Sequence, residues 1–277
     1  MHDTLRAATY NLHAGVDGWG RPTPVVDVAV ALDADVLCLQ EAWRSATVDL
    51  AAEIAARTGA VACTFPLASG QRVTGGAGDA SWQPRDSLLH GNLGLYLDSE
   101  RPVGGRAAAA RASASGVDPG EWCVAVVTRL PVLASKAIEL RHLRRDRARR
   151  RLVMVTLEHP RGPIAVFALH GAHLSHSSIG QYRELSRDLD ALATPGTPAI
   201  LGGDLNSWGP IVRRLLPGWR QAARGRSWPS WRPHSQLDHL FVRGPVDVES
   251  GGVVDARASD HRPVVATVVV RGADGVR

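Results

Sequence analysis

The stretch Pro198-Ala199-Ile200-Leu201-Gly202-Gly203-Asp204-Leu205-Asn206 constrains the chain more than any other. Small and apolar residues mark a short buried strand, two glycines interrupt it, and an acid and an amide follow two positions apart. In an extended segment residues i and i+2 point to the same side, so Asp204 and Asn206 would face one shared volume while Leu205 turns back into the core. The glycines would let the backbone approach whatever sits there. An Asx-turn closing a strand explains the same residues, because Asp and Asn dominate turns. The pattern gains meaning only where other stretches of its kind are found.

Several are. Leu5 to Asn11 reads as a strand ending in Tyr10-Asn11, and Val36 to Leu39 as one ending in Gln40-Glu41. Ile164 to Leu169 ends at His170, Leu237 to Val242 opens with Asp238-His239, and Ser259-Asp260-His261-Arg262 precedes a strand over Pro263 to Val270. Strands are also expected over Trp122 to Thr128 and Leu152 to Leu157, the latter forming a hairpin with Ile164 to Leu169. Helices are expected over Val25 to Leu32, from Ser45 as N-cap to Arg57 with Gly59 as its stop, over Ser178 to Leu192, and briefly before Leu216. Residues 68–120 are rich in Gly, Ala and Ser and read as long loops and edge strands on the substrate side. Strands outnumber helices and many join directly, which favours a layered fold with mixed or antiparallel sheets over a doubly wound parallel one. An accumulation of caps would not so regularly place Asn, Glu, His and Asp at the ends of apolar strands; convergent strand ends are where such folds build sites.

With 277 residues, 44% of them hydrophobic, and no linker, one domain over 1–277 with a core from about 5 to 271 is expected. The formal charge is +5, and Lys136 is the only lysine. Arginine pairs bidentately with phosphate or carboxylate, so an anionic partner fits, although a genome-wide preference for arginine produces the same bias. The basic run from Arg141 to Arg151 could grip a polyanion or form a solvated face. Cys38, Cys63 and Cys123 form no metal-type pair and their odd count suits a reducing compartment. No positively charged apolar leader and no membrane span is visible, so a soluble cytoplasmic monomer is expected.

The motifs Thr9-Tyr10-Asn11, Asp35 to Glu41, Gly203-Asp204-Leu205-Asn206, Leu237-Asp238-His239 and Ser259 to Val264 stand in an order that resembles the endonuclease/exonuclease/phosphatase superfamily. These are metal-dependent phosphoesterases that include pancreatic-type deoxyribonuclease, abasic-site endonucleases, neutral sphingomyelinases and inositol-phosphate 5-phosphatases. The resemblance runs from Ala8 to Val270. It implies an α/β fold, a four-layered α/β sandwich with two packed mixed β-sheets flanked by helices and a site at one edge.

The resemblance also implies roles. Glu41 matches the principal metal ligand, Asn11 the amide that helps orient the metal site, and Asp260 a position in or next to its shell; an oxygen-only set suits Mg2+, with Mn2+ as a substitute. His261 matches the general base and Asp238 the carboxylate that fixes its tautomer. Asp204 would orient the attacking water, and Asn206 and His170 would donate to phosphoryl oxygens. His170 stands eleven positions before Gln181, a spacing similar to the family's strand-end histidine followed by Gln-x-x-x-Leu. His173 and His176 are candidates for the pocket mouth, with loop histidines in solvent, or zinc binding by the cluster, as alternatives. Trp228, Trp231 and Arg232 would stack on a base or headgroup, or pack a loop. His170 departs from the tyrosine of abasic-site endonucleases, and Cys123-Val124 stands where a Gly-Asn pair is often found. The expected activity is Mg2+-dependent hydrolysis of a phosphodiester, in nucleic acid or a smaller molecule. A phosphomonoesterase, a sphingomyelinase-like enzyme and an inactive basic binding module are the alternatives.

Overall fold

The structure, a computed structural model, describes residues 3–17, 20–75, 95–97, 116–144, 146, 148–173 and 179–271. Strands β1 (Thr4–Asn11), β2 (Val36–Ser45), β3 (Val61–Thr74), β4 (Leu95–Leu97), β5 (Gly116–Thr128), β12 (Val246–Val253) and β13 (Val264–Val270) form a seven-stranded sheet in the order β12-β13-β1-β2-β5-β3-β4. Strands β6 (Val132–Glu139), β7 (Arg151–Leu157), β8 (Ile164–His170), β9 (Ala199–Asp204), β10 (Arg220–Gln221) and β11 (Asp238–Arg243) form a six-stranded sheet, β10-β11-β9-β8-β7-β6. Both sheets are mixed, with β1 parallel to β2 and β8 parallel to β9 among otherwise antiparallel pairs.

Side-chain alternation shows how the layers stack. Ile164, Val166 and Ala168 of β8 join the core between the sheets, whereas Ala165, Phe167 and Leu169 join a second cluster with Tyr182, Leu185 and Leu189. Those last three lie on α3 (Ile179–Leu192), which with α4 (Gly209–Leu215) covers the outer face of the six-stranded sheet. On the other flank, α1 (Val25–Ala31) and α2 (Leu50–Thr58) cover the seven-stranded sheet with Val25, Ala29, Leu50 and Ile54. A strand buried on both faces loses the polar alternation of a half-exposed one, which is why β8 is an unbroken apolar run ending in His170. The result is the expected four-layered α/β sandwich.

Three expectations need correction. Helix α2 starts at Leu50, not near Ser45, because Asp49 accepts the amide of Ala52 at 2.9 Å and is the true N-cap. Ser45 instead ends β2, its hydroxyl accepting the amides of Thr47 and Val48. Strand β2 does not stop at Leu39: the pairing with β5 shifts between Leu39 and Ala42, so Gln40 and Glu41 form a bulge and the strand runs on to Ser45. Third, β5 does not begin at Trp122 but at Gly116, its ladder with β3 running out to Thr74 inside the stretch read as long loops and edge strands; most of the remainder of 68–120 lies outside the described residues.

The paired glycines serve the packing of the sheets. A Cβ on Gly202 would meet Sγ of Cys38, in the facing sheet, at 2.8 Å, and one on Gly203 would meet the backbone oxygen of Leu169, on the adjacent strand, at 2.1 Å. What they admit is the protein itself.

Candidate functional site

Strand parity aims the polar residues at one edge of the inter-sheet space. Along β9, Asp204 shares a face with Ile200, a member of the inter-sheet core; along β8, His170 follows Ile164, Val166 and Ala168; along β11, Asp238 precedes Leu240 and Val242. Asp204 is in register with both neighbours, His170 on β8 and Asp238 on β11. The end of β1 contributes Asn11, the β2 bulge Glu41, and the turn before β13 Asp260 and His261. Glu41 takes φ +51°, a left-handed conformation that turns its side chain out of the regular strand alternation.

The groups form a connected network. Asn11 Nδ2 donates to Glu41 Oε1 at 3.2 Å and to Asp204 Oδ2 at 3.1 Å, while its own oxygen accepts the amide of His13 at 3.0 Å. Asn11 therefore presents nitrogen to the carboxylates and holds them in place. Asp204 Oδ1 accepts the amide of Asn206 at 2.8 Å, which is an Asx-turn. Asn206 has φ +47°, so the two residues share a volume through this turn and not through extended alternation. Its Nδ2 lies 3.1 Å from the oxygen of Gly171 and 3.1 Å from Nε2 of His170. Leu205 is fully buried in the cluster under α3 and α4, as its position between them requires.

The imidazole of His261 sits between acids, with Nδ1 2.8 Å from Asp238 Oδ2 and Nε2 3.7 Å from Asp204 Oδ2. Burial alone would lower its pKa, but Asp238, Asp204 and Asp260 outweigh that and hold it well above the usual histidine value. Asp204 is pushed up to about 7, chiefly by burial, against the pull of His261. Burial, then Arg150 and His261, keeps His170 well below its usual value and so neutral. Asp260 is lowered: burial works against this, but His13, His261, and hydrogen bonds from Trp228 Nε1 at 3.4 Å and Ser259 Oγ at 3.3 Å prevail.

Other residues at the site carried no signal in isolation. His13 is buried with Nε2 unpartnered, and lies in a Gly-rich loop without periodicity. Trp122 on β5 packs its ring 4.8 Å from that of His170, and the Arg150 guanidinium lies 5.0 Å over Trp122. Arg150 is also buried, pairs with Asp146 at 2.7 Å and donates to the oxygen of His170. One member of the basic run thus points inward; an acid four residues ahead of it was the available clue. His173 is exposed and His176 lies outside the described residues. Trp231 is half-buried and Arg232 exposed, and it is the indole of Trp228 that hydrogen-bonds to the network, through Asp260.

The donor chemistry fits a cation. Among the described residues no lysine or arginine pairs with Glu41, Asp204, Asp238 or Asp260, and the basic side chains that approach Glu41, Asp204 and Asp238 are imidazoles. Buried carboxylates are otherwise paired or coordinate metals, and an oxygen set of this kind suits a hard divalent ion. Asp204, Asp238 and His261 bring ligand atoms within 4.8 Å of one another. The hydrogen bond to Asp238 occupies Nδ1 of His261, however, so Glu41 and its neighbouring acids are the better-disposed donors. No described helix is long and apolar enough to cross a membrane.

A search of curated proteins finds no match to the chain. Among solved structures it is similar to an endonuclease/exonuclease/phosphatase from Beutenbergia cavernae, with 23% identity, TM-score 0.63, and coverage of 98% of this chain and 72% of that one. It is similar to a family protein from Leptotrichia buccalis at 13% identity and TM-score 0.64, covering 95% and 99% of the two chains. The human Nocturnin catalytic domain, solved with a bound sulfate anion, is similar at 16% identity and TM-score 0.60, covering 97% and 95%. These likenesses show the fold. The sequence profile of the Endonuclease/Exonuclease/phosphatase family matches residues 8–261, and by that match the chain belongs to this family of phosphoesterases.

Proposed function

We propose that the protein is a divalent-cation-dependent phosphodiesterase that hydrolyses its substrate by direct attack of water. The observation that carries this reading is the convergence of strand ends and adjoining turns onto one buried edge, where the hydrogen-bonded group Asn11, Glu41, Asp204, Asn206 and His170 stands 3.7 Å from the hydrogen-bonded pair Asp238 and His261. The family is metal-dependent. Glu41 and Asp260 would hold the ion, for which Mg2+ fits the donor chemistry; bound there it would supply charge neutralisation for the phosphoryl oxygens and the leaving group.

The chain's own residues divide the remaining work. Asp238 accepts the Nδ1 proton of His261 and so turns the lone pair of Nε2 toward Asp204. The 3.7 Å gap between Nε2 and Asp204 Oδ2 is too long for a hydrogen bond and suits a nucleophilic water shared by the two. Asp204 aligns that water and His261 takes its proton. Asn11 fixes Glu41 and Asp204 without touching substrate. Asn206 Nδ2 donates to Nε2 of neutral His170, so offering its amide to a phosphoryl oxygen requires it to release that nitrogen; His170 then donates to the same phosphoryl group as the other neutral tautomer, with its proton moved from Nδ1 to Nε2.

Hydrolysis of bis-p-nitrophenyl phosphate against p-nitrophenyl phosphate tests the reading. The diester is the expected substrate, and turnover of the monoester alone would assign the site to phosphomonoesters.

A further inference from the structure

We infer that the hollow lined by Trp208, two residues beyond Asn206, is a nucleobase subsite, so that the phosphodiester cut here carries a nucleoside; this rests on the phosphodiesterase reading. The hollow, of about 480 Å³, is lined by Trp208, Gly209, Pro210, Arg226, His234 and Gln236, with Ser235. That volume lies in the range of small-ligand sites, ~300–1,000 Å³.

Its position follows from the chain. Trp208 stands two residues beyond Asn206, and Gln236 two residues before Asp238, at the paired ends of β9 and β11 where Asp204 faces Asp238. Two residues of chain span at most ~7 Å. A group bound at the network and a ring lodged in the hollow can therefore belong to one nucleotide. The walls are also joined to the network: the His234 ring meets Trp228 edge-on at 5.2 Å, and Trp228 Nε1 donates to Asp260.

The chemistry of the walls selects the ligand. Trp208 is 54% exposed and is the only exposed large aromatic among the described residues. Leaving an indole in water costs apolar burial, and a flat partner stacked on it recovers that area for any base. Around the indole stand Gln236, whose Nε2 donates to the oxygen of Ala223 at 3.3 Å, and His234, whose Nδ1 lies 2.9 Å from the Ser235 hydroxyl; the amide oxygen of Gln236 and the second nitrogen of His234 are the groups left to address a ring's polar edge. Gln236 Oε1 occupies the space that a Cβ at position 209 would enter, 3.2 Å away, so Gly209 leaves the amide room. Arg226 is exposed and supplies one guanidinium for an adjoining phosphate. An acyl chain would use neither the Gln236 amide oxygen nor the Arg226 guanidinium, and a polyphosphorylated ring would call for several cations where the hollow has one.

Calorimetric titration of the full chain with adenosine 5′-monophosphate and with ribose 5-phosphate tests the subsite without relying on turnover. The wild type should bind the nucleotide about tenfold or more tightly than the sugar phosphate, as stacking on one aromatic side chain implies. Trp208→Ala should erase that preference while leaving ribose 5-phosphate affinity in place, and Trp208→Phe should keep it. Equal affinity for the two ligands in the wild type, no measurable binding of either, or an undiminished preference in Trp208→Ala overturns the subsite. Hydrolysis of bis-p-nitrophenyl phosphate by the same wild-type preparation judges the phosphodiesterase reading separately.

Discussion

Oδ2 of Asp238 lies 2.8 Å from Nδ1 of His261, and this one contact decides which nitrogen of the ring faces the site. Asp238 sits at the start of β11, fully buried, so bulk solvent does not compete for the contact.

His261→Ala should abolish hydrolysis of bis-p-nitrophenyl phosphate with the circular dichroism spectrum unchanged. Asp238→Asn should lower turnover by ~10²–10⁴-fold, the usual contribution of a positioned base. The sign of the pH effect follows from the raised His261 value: the basic form needs higher pH, so activity should rise along an alkaline limb. Removing a carboxylate that raises it moves the limb of the residual activity to lower pH. A limb that stays put in Asp238→Asn would take His261 out of the role of base.

A divalent ion should stabilise the fold by mass action. Asp204 is raised from 3.8 to about 7 by burial, so the folded, ion-free chain holds an extra proton between those values and loses stability as pH rises through them. The increase in Tm on adding Mg2+ should therefore be larger near pH 8, above that window, than near pH 5, inside it. Glu41→Ala should shrink the increase at both; an unaltered Mg2+ titration would remove Glu41 from the ligand set.

His239 predicts an acid sensitivity of its own. Burial lowers it from 6.5 to about 4, and its Nε2 donates to the oxygen of Ser207 at 2.9 Å. Between those values the unfolded chain binds the proton and the folded chain does not, so this contribution is present above 6.5 and lost as pH falls toward 4, about 3 kcal/mol in all at 1.36 kcal/mol per pKa unit. Urea unfolding of His239→Gln across that range should show a flatter pH dependence than the wild type.

Gly202→Ala places a methyl against Cys38 of the facing sheet and should cost ~1–3 kcal/mol as overpacking, read as a lower urea midpoint. Gly203→Ala, aimed at the Leu169 backbone, has no flexible side chain to displace and should cost more. An unchanged midpoint in both would contradict the sheet-packing account of this pair.

Strands buried on both faces were legible because their apolar runs and polar ends need no partner to be seen: β8 with His170 and β9 with Asp204 are of this kind. Strand β6 was not, since its residues are largely exposed at a sheet edge and show no alternation. The bulge at Gln40-Glu41 depends on the register of β5, far along the chain, so residue order alone reads it as a strand end. Arg150 was hidden for a similar reason, since only the fold puts Trp122 and His170 beside it. The edge residues Asn11, Glu41, Asp204 and His261 could be named from motifs, but that Asn11 turns its nitrogen, not its oxygen, to the carboxylates is set by the amide of His13.

The most direct test is the rate of bis-p-nitrophenyl phosphate hydrolysis by the wild type stripped with EDTA and then titrated with Mg2+. Turnover absent after stripping and restored by Mg2+, with no restoration in His261→Ala, is the expected result. Full turnover in EDTA, or none at any Mg2+ or Mn2+ concentration in a folded preparation, would contradict a cation-dependent phosphodiesterase built on this edge.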